Sequence, residues 1–150
     1  MGDYFSTPLA EFQTQCLTMV SALVKSQGSL FCLFNRSGKP EQLTRHLLGP
    51  KLECQFLHYS EDLHTRYAGS SCPVIVDAMM RDSASISPDQ PCFASLVFRR
   101  QKRVEGLLGL VRTEGKPFDA DDVKRLEVVH PVIDHVLHEV YLGVSQPRIH

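Results

Sequence analysis

With 150 residues, 43% of them hydrophobic and 22% charged, the chain has ordinary globular composition, which excludes a disordered or low-complexity protein. That length suits one domain spanning residues 1–150, with a core that needs no disulfide or metal staple. A formal net charge of −1 at pH 7 excludes a chain that is, as a whole, an electrostatic trap for nucleic acid or anionic membrane.

The start, Met1-Gly2-Asp3-Tyr4, lacks the basic region of a signal peptide, and no apolar run has the length of a membrane span, so no membrane partner is expected. Five cysteines, Cys16, Cys32, Cys54, Cys72 and Cys92, are scattered with no CxxC spacing. That is the usage of a reducing compartment and points to a cytoplasmic protein.

The first element reads as a helix. Thr7 followed by Pro8 places an N-cap before a proline at the first helical position. Leu9, Phe12, Cys16, Met19, Val20 and Leu23 then recur at helical spacing, which predicts one buried stripe, with Gln27-Gly28 as its stop. The dense apolar run from Ser29 to Phe34 predicts a buried strand, ended by the turn residues Asn35-Arg36-Ser37-Gly38. Residues 41–48 fit either a strand or a short helix, punctuated by Gly49-Pro50. Leu52, Phe56, Tyr59, Leu63 and Tyr67 fall at helical spacing, Val74-Ile75-Val76 reads as a brief strand, and Asp82 to Pro91 as a loop.

Cys92 to Phe98 and Val104 to Val111 are two apolar runs separated by Arg99-Arg100-Gln101-Lys102-Arg103, an antiparallel hairpin with a polar tip. Asp119 then stands as an N-cap with Asp122 three residues on, a capping box with Asp where Glu is preferred. Phe118 before the cap is placed to staple onto Val123, and Asp119, Asp121 and Asp122 suit the positive end of the helix dipole. Leu126, Val129, Ile133, Val136, Leu137 and Val140 are the expected buried stripe of this final helix, which Leu142-Gly143 ends. Pro131 removes one helical hydrogen bond, to the Glu127 carbonyl, and predicts a kink. The order predicts an α/β (α+β) domain: an antiparallel sheet with the N- and C-terminal helices packed together on one face.

The segment from Phe93 to Leu142 resembles the C-terminal half of GAF-like (GAF/PAS-like) sensor domains. The carriers are Glu105-Gly106-Leu107-Leu108-Gly109-Leu110-Val111-Arg112, then Pro117-Phe118-Asp119-Ala120-Asp121-Asp122, then Leu126 through His130-Pro131 to Val140. The wording is most similar to the N-terminal regulatory domains of bacterial LuxR-type helix-turn-helix transcription regulators. The resemblance implies a regulatory domain that senses a small-molecule effector and signals through its terminal helices and a homodimer contact. DNA would then be reached only through a helix-turn-helix domain that this chain does not hold. Acyl-homoserine-lactone receptors of that superfamily hold the lactone with a tryptophan and an aspartate, and this chain has no tryptophan. The NKFDE-type signature of cyclic-nucleotide GAF domains is not apparent.

In such a fold the ligand lies between the sheet and the middle segment. Phe56, Tyr59, Leu63, His64 and Tyr67, with Arg66 nearby, are the candidate lining residues there, and Phe93, Ser95 and Val97 share one face of a hairpin strand. The competing reading makes the aromatics plain core. His130, His135 and His138 with Asp134 and Glu139 invite a metal, but lack any structural-zinc spacing and read better as a solvated helix face. The basic cluster Arg99, Arg100, Lys102 and Arg103 reads as a solvated turn before it reads as a phosphate contact. GxSxG, HExxH and P-loop motifs are missing, so no catalytic residue, metal or cofactor is expected. Leu9, Phe12, Val136, Val140 and Tyr141 are the candidate dimer contacts. Two alternatives stand beside sensing. One is a ligand-free dimerisation scaffold, and the other a cysteine-based redox enzyme of the free methionine sulfoxide reductase type, which is also built on a GAF fold.

Overall fold

A computed structural model of the chain describes residues 7–66, 71–76, 86 and 90–142, with the side chains of 62–66 and 142 left undescribed. The elements are α1 (Pro8–Leu23), β1 (Gly28–Phe34), β2 (Pro40–His46), α2 (Pro50–Arg66), β3 (Val74–Val76), β4 (Cys92–Arg100), β5 (Arg103–Arg112) and α3 (Ala120–Val136). A π-helical segment, Leu137–Leu142, continues α3. The strands form one antiparallel sheet in the order β2-β1-β5-β4-β3. The ambiguous segment after the first turn is therefore a strand, and the loop expected from Asp82 to Pro91 lies mostly outside the described residues. Among the described residues, no helix is long and apolar enough to cross a membrane.

Thr7 caps α1, its hydroxyl accepting from the Ala10 amide at 3.1 Å, with Pro8 just inside. The helix ends at Leu23, before the expected stop, because Val24 turns extended and enters the core. Its buried face also differs from the expected stripe. Gln13, Cys16, Leu17 and Val20 are inside, whereas Met19 and Leu23 are 44% and 39% exposed. Gln13 is fully buried because it bridges strands: its amide donates to the Phe31 carbonyl at 3.1 Å and to the Gln42 carbonyl at 3.4 Å.

α1 and α3 lie on the same face of the sheet, over Phe31 and Leu33 of β1, Ala94, Leu96 and Phe98 of β4, and Leu108 and Leu110 of β5. Phe12 of α1 stacks on Tyr141 of the π-helical segment at 4.8 Å and leans on Phe31, so both aromatics are occupied within the chain. α2 covers the opposite face. In the stripe expected for α3, Leu126, Ile133 and Leu137 are buried, but Val140 is 50% exposed, displaced as the helix changes to π winding. α3 passes through Pro131 without ending.

The capping box at Asp119 is present in both halves, at 3.0 Å each. The Asp122 amide first, then the Lys116 ammonium, hold the Asp119 carboxyl at about 2, below its ordinary 3.8. A depressed carboxyl stabilises the fold above its unfolded value and loses that contribution as pH falls from about 4 toward 2. Asp119→Asn keeps a competent cap without the charge. Thermal midpoints measured from pH 6 to pH 2 should therefore fall less steeply for Asp119→Asn than for wild type. Parallel curves would show that this carboxyl carries none of the acid sensitivity.

Candidate functional site

Strand alternation assigns the two faces of the sheet. Leu30, Cys32 and Phe34 of β1, Phe93 and Val97 of β4, and Leu107 and Val111 of β5 all turn toward α2. Ser95, between Phe93 and Val97 on the same strand, turns the same way.

Phe56 fixes how closely α2 approaches. Its ring lies directly over Gly109, where a Cβ would overlap the Cζ and Cε2 atoms. A glycine inside a strand is a recognised sign of such close approach, and it is the sequence signal that marks this seat. Around that anchor the aromatics form a three-ring wall. Phe93 meets Phe56 edge-on at 5.6 Å and stacks on Tyr59 at 4.9 Å, while Phe56 and Tyr59 are tilted at 5.9 Å. Such offset and edge-on pairs are favourable beyond their buried area.

Ser95 is fully buried beside this wall, and its hydroxyl has no hydrogen-bond partner among the described residues. A buried hydroxyl left without a partner is costly, which singles Ser95 out on this face. The structure thus brings together Phe56, Tyr59, Phe93 and Ser95 of the expected lining. Leu63, His64 and Arg66 sit on the last turns of α2 with side chains outside the described residues, and so does the whole of Tyr67.

The histidines differ from expectation. His135 is exposed, but His130 and His138 are not a solvated face. His130 stacks on Phe98 at 4.9 Å, and its Nε2 lies 2.7 Å from the Val97 carbonyl. His138 places Nε2 3.1 Å from Glu105 Oε2 and Nδ1 3.0 Å from both the carbonyl and Oδ1 of Asp134. These partners lie 33 residues away in sequence for His130–Val97 and His138–Glu105, beyond the reach of local pattern reading. Among the described residues, no three His, Cys, Asp or Glu side chains gather to hold a metal ion.

Cys16, Cys32 and Cys92 are buried, Cys54 and Cys72 exposed, and none is in a disulfide. Burial pushes the Cys16 and Cys32 thiols up to about 12, the opposite of what a thiolate nucleophile needs.

No protein-family model and no curated protein matches the sequence. Solved structures do. A GAF domain from Synechocystis sp., solved in its photoproduct state, superposes with a TM-score of 0.62 at 13% identity, covering 89% of this chain and 96% of that one. A GAF domain/HD domain protein from Geobacter sulfurreducens superposes with a TM-score of 0.55 at 16% identity, covering 89% and 97%. The photosensory core module of the Stigmatella aurantiaca phytochrome matches with a TM-score of 0.52 at 12% identity, over 84% of this chain and 32% of that one. At such identities the likeness speaks for architecture alone: a five-stranded antiparallel sheet sandwiched between helices, the α+β fold of GAF-like domains.

Proposed function

We propose that this domain senses a small molecule held between α2 and the sheet. The observation that carries the reading is the buried Ser95 hydroxyl, without a hydrogen-bond partner among the described residues, beside the Phe56–Tyr59–Phe93 wall. An apolar enclosure with one or two placed polar groups is the usual form of a small-molecule site. The effector would have an apolar, ring-stacking body and one hydrogen-bonding group for Ser95.

The same reading extends to output. A ligand that favours one arrangement of the domain shifts its population by the difference in affinity. The exposed apolar residues Met19 and Leu23 on α1, Val128 and Val132 on α3, and Val140 beyond it support a homodimer contact along the terminal helices. The wording of residues 105–140 supports placing this sensor in a LuxR-type transcription regulator of the cytoplasm.

A second reading has its own support. The close seating of Phe56 on Gly109 is what a filled, ligand-free dimerisation scaffold would have.

Native mass spectrometry of the purified protein separates the two. The sensor reading expects a dimer carrying a reproducible small-molecule excess over the denatured mass, reduced in Ser95→Ala. A bare dimer in both proteins, from cells grown in several media, would overturn sensing and leave the scaffold.

A further inference from the structure

We propose a second binding site, for the phosphoryl group of a small molecule, at the end of the sheet where the β1–β2 and β4–β5 turns meet. It is independent of the site beneath α2. Arg36 from the first turn and Arg100, Gln101, Arg103 and Glu105 from the second hairpin line a cleft of about 380 Å³. That volume admits a phosphorylated metabolite.

Among the described residues, the lining brings together three guanidinium groups and one carboxylate, and Glu105 is already engaged on both oxygens. Its Oε1 accepts from Arg103 at 2.9 Å and its Oε2 lies 3.1 Å from His138 Nε2. Arg36 has no hydrogen bond or ion pair among the described residues. It rides on a turn held rigid by Asn35, whose side chain accepts from the Ser37 amide, the Ser37 hydroxyl and the Lys39 amide at 2.8–3.0 Å. Guanidinium forks are the side chains best shaped for phosphate oxygens.

The hairpin is also built against its own preferences. Gln101 and Lys102 both take positive φ, 53° and 68°, in a two-residue turn that normally selects Asn-Gly. The turn sets Arg100 directly opposite Arg103, a like-charge pair across the strands. Local choices that oppose stability gather where a site needs them. An anion in the cleft would meet guanidinium groups from both turns. A concave space between two turns suits a compact phosphoryl group better than the continuous backbone of a duplex.

Occupancy has a route to the end of the helical layer. Phe98 pairs with Gly106 but Arg99 with Val104, so Glu105 is the extra residue of a β-bulge. Its carboxylate thereby reaches His138 on the π-helical segment. An anion that draws Arg103 away leaves the Glu105 charge to His138 alone. His138 has acceptors at both ring nitrogens, Glu105 on one side and the Asp134 carbonyl on the other, so its ring position depends on Glu105.

The test is a titration with inorganic pyrophosphate at constant ionic strength, followed by calorimetry and by amide and histidine-ring NMR. Saturable one-to-one binding is expected, shifting the Ser37, Gln101 and Lys102 amides and the His138 ring. Arg36→Ala, on an exposed turn, should keep the wild-type melting temperature and weaken binding at least tenfold. Lys25→Ala, which removes a cation from the opposite end of the sheet, and Ser95→Ala should bind like wild type. Non-saturating shifts, or equal affinity in Arg36→Ala, would overturn the site. So would a short DNA duplex that displaces pyrophosphate and binds more tightly, since the patch would then be a nucleic-acid surface.

Discussion

Asp122→Ala is expected to lower the unfolding free energy by about 3–5 kcal/mol, the range for removing one partner of a buried ion pair. For a domain of this size that corresponds to a fall of roughly 6–20 °C in melting temperature. Asp122 serves two structures at once. Its Oδ2 accepts from the Asp119 amide at 3.0 Å, closing the cap of α3, and from Arg112 Nη1 at 3.1 Å. The Arg112 and Asp122 side chains are 9% and 8% exposed. Arg112 Nε donates to the Lys25 carbonyl at 2.7 Å, Nη1 also reaches the Lys116 and Pro117 carbonyls at 3.3 Å, and the guanidinium lies 4.3 Å over the Phe118 ring. Removing the carboxylate leaves this guanidinium inside with no countercharge. The shorter Asp, where a capping box prefers Glu, thus fits a position that must also meet a strand-borne arginine. Urea denaturation checks the magnitude, and the double replacement Arg112→Met with Asp122→Leu should recover much of the loss. A cost near that of a surface pair, below about 1 kcal/mol, would mean that Arg112 reaches water.

The seat of Phe56 is the second sensitive point. Phe56→Ala should cost about 3–5 kcal/mol, since it empties a fully buried ring site between α2 and the sheet. Gly109→Ala should cost about 1–3 kcal/mol for the opposite reason, because the new methyl occupies the space of the ring. The two effects share one volume, so they must not add. In the Phe56→Ala background, Gly109→Ala should become close to neutral, a coupling of about 1–3 kcal/mol in a double-mutant cycle. Additive costs in urea denaturation would show that α2 yields as a body and does not hold the ring against β5.

Local patterns gave the elements away wherever the information was local. β1 is buried along its whole length, and its unbroken apolar run announces that. The α3 cap is written within four residues, and α2 follows from the spacing of Leu52, Phe56 and Tyr59. In α1 two overlapping stripes share Cys16 and Val20, and hydrophobicity points to Met19 where the fold buries Gln13. Gln13 is inside because backbone carbonyls 18 and 29 residues away accept from it, which no local pattern encodes. The same holds for His138 and its bulged partner Glu105. The run Arg99–Arg103 resembles a five-residue tip, yet only Gln101 and Lys102 form the turn, and the arginines ride on the strands. In the candidate site, alternation places Phe93 and Ser95 on one face. The choice of face, and the role of Gly109, depended on where α2 comes to rest.

The strand order also shapes what happens while the chain is being made. β1 takes β2 on one edge from nearby sequence, but its other edge waits for β5, which begins at Arg103. During synthesis the segment Gly28–Phe34 therefore emerges long before the strand that will cover it. It contains no lysine, proline or charge to discourage pairing with a neighbouring chain. The finished sheet hides this strand at every position, so the interval between the emergence of Phe34 and that of Arg112 is when its apolar edge is open to pairing with another chain.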